Sequence, residues 1–119
     1  MEIKEHIIQG VRIAELHSDN MLLGSVEEAV DLLGNMYYNQ ADAMVLYTEH
    51  IADAFFDLKT KVAGEILQKF SNYRMKLAIV GDFKQVSSKS LQDFIRESNK
   101  GRLIYFAETL EEALAQLVR

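Results

Sequence analysis

The chain contains no cysteine. Disulfides, thiolate nucleophiles and zinc–cysteine centres are therefore excluded, and the absence fits a reducing cytoplasm. Proline is also missing, so no turn is fixed by a pyrrolidine ring and no helix carries a proline kink. Basic residues are in deficit: 13 Lys and Arg stand against 18 Asp and Glu, for a formal net charge of −5. A protein that tracks a phosphate backbone shows a basic face, and an anionic membrane surface selects the same feature. Neither nucleic acid nor membrane is an expected partner. No stretch approaches the roughly 18 apolar residues of a spanning helix. The opening MEIKEHIIQG has acidic residues and lacks the apolar run of a secretory leader. The expected location is cytoplasmic.

What is present is ordinary globular material. The 119 residues are 49% hydrophobic and 26% charged, enough for one domain, 1–119, with a real core. Residues 3–8 and 11–16 are β-branched runs flanking Gln9-Gly10, the signature of a hairpin. In the second run Val11, Ile13 and Glu15 share one side. Ser25-Val26-Glu27-Glu28 is a capping box, and Val26, Ala29, Val30, Leu33 and Tyr37 follow at helical spacing, predicting a helix over 26–38. The short apolar runs 43–47 and 76–80 read as buried strands. Between them a 3.6-residue period runs from about Thr60 to Tyr73. Ser87 or Ser88 starts a third helix, with Leu91, Phe94 and Ile95 inward. Asn99-Lys100-Gly101 reads as a stop with glycine left-handed. Residues 102–106 form the last strand, and Thr109–Glu112 is a second capping box opening the final helix. The order β-β-α-β-α-β-α-β-α predicts a compact, single-domain α/β sandwich with a mixed sheet of about five strands.

The strings FFDLKT, AGEILQKFSNYR, LAIVGDF and NKGRLIYF resemble a bacterial family known as domain of unknown function 4180. The resemblance covers nearly the whole chain and brings no assigned activity. The element order is also similar to that of the STAS superfamily, the anti-sigma-factor antagonists. There the turn after the third strand carries Asp-Ser-Ser/Thr-Gly, and its hydroxyl is phosphorylated. The matching stretch here is Asp57-Leu58-Lys59-Thr60-Lys61. It has one residue too many between acid and hydroxyl, and Lys61 stands where glycine is expected. The resemblance implies a STAS-like fold; the phosphorylation motif itself is altered.

Ligands of parallel α/β sheets bind beyond the carboxyl ends of the strands. That rule selects Glu49 and His50 after the third strand, Gly81-Asp82 after the fourth and Glu108 after the last, and on the same edge the helix starts at Thr60 and Ser87-Ser88, whose free amides favour anions. Thr60 reads as an N-cap whose hydroxyl is also placed for phosphorylation, since a helix start stabilises phosphate. Glu49, Asp53 and Asp57 share a face if their segment is helical, but one histidine with scattered carboxylates is a poor metal set. His6, His17 and His50 are far apart and read as surface or packing residues. No nucleophile elbow, glycine-rich dinucleotide fingerprint or phosphate loop occurs. The expectation is a regulatory or protein-interaction module without cofactor or metal. Its working edge is Glu49, His50, Asp57, Thr60 and Asp82, with Thr60 as switch and the carboxylates facing a basic protein partner. The alternative is a small-molecule binder or small enzyme at the same edge. A homodimer joined through exposed aromatics is a third form.

Overall fold

The structure, a computed structural model, describes residues 1–119. One five-stranded sheet runs through it, and its spatial order is the chain order: β1 (Glu2–Ile8), β2 (Val11–His17), β3 (Ala43–Tyr47), β4 (Lys76–Val80) and β5 (Ile104–Ala107). The first pair is antiparallel and the other three are parallel. Gln9 and Gly10 join the hairpin with φ of 53° and 80°, the paired left-handed geometry that matches strand twist in a two-residue turn. Residues 43–47 and 76–80 form strands as the apolar runs predict, and the α/β sandwich with a mixed sheet stands as expected.

Alternation along the strands makes two cores. Ala14, Leu16, Met44, Leu46, Leu77, Ile79, Ile104 and Phe106 face one side. They pack against α1 (Val26–Tyr38), α3 (Val62–Asn72) and, through Phe94 and Ile95, α4 (Lys89–Lys100). Ile13, Val45, Ala78, Val80 and Tyr105 face the other side, against Ala113 and Leu117 of α5 (Leu110–Leu117). Helix α5 lies over β3, β4 and β5. The β1–β2 part of that face carries no comparable helix.

The helix starts follow side-chain chemistry. Ser25, Ser88 and Thr109 each accept a hydrogen bond from the amide three residues on, at 3.1, 3.2 and 3.1 Å. Glu28 and Glu112 reach back, to the amides of Gly24 and Glu108, one residue before the cap.

Two expectations need correction. Helix α3 starts at Val62, and its N-cap is Lys61 at φ 64° rather than Thr60. Gly101 has φ −85°, so α4 stops without a left-handed glycine. Residues 48–60 form a chain of short turns: a 3-10 turn at Thr48–His50, a one-turn helix α2 (Asp53–Phe56), and a second 3-10 turn at Leu58–Thr60. Long-range contacts hold this segment. Phe55 is 1% exposed in the core, the amides of Leu22 and Leu23 donate to the His50 carbonyl at 2.8 and 3.1 Å, and the Ala52 amide donates to Leu23.

Candidate functional site

The carboxyl ends of β2 to β5 stop at His17, Tyr47, Val80 and Ala107, and the segments that follow make one edge of the molecule. Gly81 leaves β4 so close to Thr48 that any side chain would run into the Thr48 methyl and hydroxyl. This approach brings the turns after β3 and β4 together. The result is an open groove of about 410 Å³ that holds Glu49, Asp53 and Asp82 around Phe56 and Phe83.

The five residues selected from the sequence are divided among neighbouring places. Glu49 and Asp82 share the groove. Asp57 lies in an adjoining hollow with Lys59, Ser88 and Ser90. Its carboxylate accepts from the Lys59 amide at 3.2 Å, and Asp82 accepts from the Lys84 amide at 3.1 Å; both act as local turn caps. Thr60 lines neither. Its exposed hydroxyl lies 2.7 Å from the Ala54 carbonyl and 2.8 Å from the Asp57 carbonyl, and it accepts from the Val62 amide at 3.3 Å. It therefore caps α3 from the position before the N-cap while tying α2 to the following turn. His50 is 6% exposed, and its Nδ1 is buried without a hydrogen-bond partner. Because α2 is only Asp53–Phe56, Glu49, Asp53 and Asp57 do not form the continuous helical face considered for a metal. No three His, Asp or Glu side chains are grouped closely enough to hold an ion.

A second polar centre lies on the α5 side of the sheet. Glu15 is 4% exposed, and its carboxylate accepts three hydrogen bonds: from His6 Nε2 at 2.8 Å, His17 Nε2 at 2.7 Å and the Tyr47 hydroxyl at 2.7 Å. A carboxylate only accepts, so both imidazoles present N–H from Nε2. Burial pushes the Glu15 carboxyl up, but the bonds from Tyr47, His6 and His17 and the charge of His17 outweigh it and hold it at about 2. Burial raises the Tyr47 hydroxyl above its usual range, with the bond to Glu15 and the charges of Glu15, Glu111 and Glu49 acting in the same direction. The His17 ring stacks on Tyr47 at 5.2 Å. The histidines, which sequence separation had kept apart, are thus joined in part: His6 and His17 meet through Glu15. The available signal was a glutamate in phase with Val11 and Ile13 on a half-buried strand, flanked by two histidines on a predicted hairpin.

Around this centre, at the end of β2 and β3, lies a polar hollow of about 340 Å³. Glu2, His17, Ser18, Asp19, Glu49 and His50 line it, with Met1 at one side. Glu2 is directly opposite His17 in the β1–β2 register.

The sequence pattern of the family described as Domain of unknown function (DUF4180) matches residues 8–117, and the chain belongs to that family. Neither a curated protein nor a solved structure matches it.

Proposed function

For a member of this family, we propose a bacterial, cytoplasmic regulatory module of STAS-like type that binds a protein partner and is switched by phosphorylation of Thr60. The observation that carries the reading is the double duty of the Thr60 hydroxyl. It is exposed, yet its hydrogen holds the Ala54 and Asp57 carbonyls. A phosphate ester has no such hydrogen and sets negative charge against two carbonyl oxygens, so modification loosens the turn behind α2. Lys59 and Lys61 flank the position and offer the phosphate new partners. Helix α2 carries Asp53 and Phe56 of the acidic groove, so the change at Thr60 reaches the surface suited to a basic partner. The hairpin followed by strand–helix units, in a sheet that keeps chain order, agrees with the STAS-like element order.

The test is recovery of partners from host lysate by wild type, Thr60→Glu and Thr60→Val, with mass spectrometry of Thr60 in the native protein. A partner held by one charge state and lost from the other, with phosphate found on Thr60, supports the reading. Equal recovery by all three forms, or an unmodified Thr60 throughout, sinks the switch.

One observation favours a second reading, a small-molecule binder at the same edge: the hollow between His17 and Glu49 has a volume within the range of ligand sites, about 300–1,000 Å³.

A further inference from the structure

We propose that β1 is a docking edge for a second copy of this chain, with the two β1 strands antiparallel and the two sheets joined into one. The inference goes beyond the regulatory reading and uses neither Thr60 nor the acidic groove. It starts from the unlike edges of the sheet. At one edge lies β5, four residues long and buried throughout. The Asn99 side chain closes that edge: its Nδ2 donates to the Phe106 carbonyl at 3.2 Å, and its Oδ1 accepts from the Phe106 amide at 2.7 Å. These are the two bonds a further strand would make. At the other edge lies β1, seven residues long and largely exposed, with β2 as its ladder partner. The pairing runs through all of β1 without a bulge, and no proline interrupts it. A long, regular edge of this kind is a template for another strand.

The two-residue turn sets which backbone groups are free. Ile8 and Val11 flank it as a hydrogen-bonded pair, and such pairs alternate with non-bonded ones along an antiparallel ladder. Glu2, Lys4 and His6 therefore turn their amides and carbonyls to β2, and Ile3, Glu5 and Ile7 turn theirs outward. The same three residues carry their side chains on the α1 side of the sheet, because they lie opposite Leu16, Ala14 and Arg12. Ile3 and Ile7 are 44% and 59% exposed. Ile3 also borders a mostly apolar hollow of about 230 Å³ beside Ala14, Met36 and Ala41.

The strand is complementary to itself, which names the occupant. Around a two-fold axis at Glu5, Ile3 of one copy lies opposite Ile7 of the other, and the symmetry repeats the pair. Every outward amide of residues 3, 5 and 7 then meets an outward carbonyl, and the exposed isoleucines leave water together. The two Glu5 carboxylates face each other, and each brings the Arg12 guanidinium of its own chain at 3.8 Å, so the centre is balanced in charge. Sliding the strands by two residues sets Lys4 against Lys4 or His6 against His6, and either way an isoleucine meets Glu5. Larger slides leave part of the strand unpaired. Only the register around Glu5 pairs the whole strand and joins its exposed isoleucines; a foreign strand requires no such symmetry.

Sedimentation equilibrium combined with amide exchange read by NMR tests this. The expected result is a monomer–dimer equilibrium in which the amides of Ile3, Glu5 and Ile7 gain protection as concentration rises, while those of Lys4, His6 and Ile8 are protected at every concentration. An isotope-filtered spectrum of mixed labelled and unlabelled chains should show contact between the α-hydrogens of Lys4 in one copy and His6 in the other, a closely spaced non-bonded pair of that register. Glu5→Pro removes an outward amide, spares the β1–β2 ladder and should give a folded monomer. Ile7→Lys leaves the backbone intact and should weaken the dimer about tenfold, so the outcome does not hang on the folding of the proline variant. A dimer indifferent to both substitutions, such as one joined through Tyr37 and Tyr38, overturns the proposal, as does a filtered contact belonging to another register. A chain that stays monomeric, with fast exchange at residues 3, 5 and 7, overturns self-pairing; protection of those amides only by an added foreign peptide gives the edge to another protein instead.

Discussion

Glu15 occupies a strand position where Val11 and Ile13, its neighbours on the same face, are hydrocarbons. A lone buried carboxylate is strongly unfavourable, so its three donors are a condition of its presence. Its folded value of about 2 lies below the ordinary 4.5. For a depressed carboxyl, the contribution to stability is complete above 4.5 and is lost as pH falls through about 2. The shift corresponds to roughly 3 kcal/mol. Acid unfolding of wild type should therefore steepen between those limits, and Glu15→Gln should flatten that part of the curve, as measured by denaturant midpoints at several pH values. Tyr47→Phe removes one donor; it should cost about 1–2 kcal/mol at neutral pH and raise the onset of acid unfolding. The strand phase of Glu15 was legible in the sequence. Its partners were not, because His6 and Tyr47 arrive through strand pairings that only the three-dimensional register supplies.

At the scale of elements, the stretch 48–61 decides how the edge is built. Phe55 anchors α2 in the core, and Phe55→Ala should destabilise by about 3–5 kcal/mol and release the segment, visible as faster amide exchange over residues 50–60. Lys61 holds φ 64°, a conformation that disfavours side chains; Lys61→Gly should raise stability by up to about 1 kcal/mol in a thermal melt. Gly81→Ala acts in the opposite sense, since its methyl meets Thr48, and a loss of about 1–3 kcal/mol is expected. Strands β3 and β4 were readable to the residue because a short apolar run bounded by polar residues has few alternatives. Residues 48–60 were not, because one-turn helices show no period and this segment takes its shape from Phe55 and the Leu23 backbone. The same cause moved the N-cap: the loop geometry places Lys61, not Thr60, at the threshold of α3.

The whole molecule has unlike ends. The carboxyl edge is acidic and polar, whereas the opposite end exposes Tyr37 and Tyr38, 67% and 86% accessible, with Tyr73 edge-on to Tyr37 at 6.4 Å. Exposed aromatics of this kind suit a partner surface. Replacing Tyr37 and Tyr38 together by serine should leave unfolding free energy within about 0.5 kcal/mol and reduce association. Light scattering at two concentrations tells a second copy from a foreign partner. Helical spacing put Tyr37 on one stripe of α1 with Ala29 and Leu33, but the buried face is completed by Leu32 and Met36 instead, and Tyr37 is left outside.

Because the strands lie side by side in the order in which they occur in the chain, the sheet can be assembled by accretion during synthesis. The hairpin forms first, and each later strand meets a neighbour already made, so no early segment must wait for a distant mate. Only the second face departs from this schedule. Ile13 and Val45 are laid down early, yet the helix that packs with their core begins at residue 110. A nascent chain thus carries a nearly finished sheet with one apolar side bare until residues 110–117 have left the ribosome, and that interval is when a chaperone has most to hold.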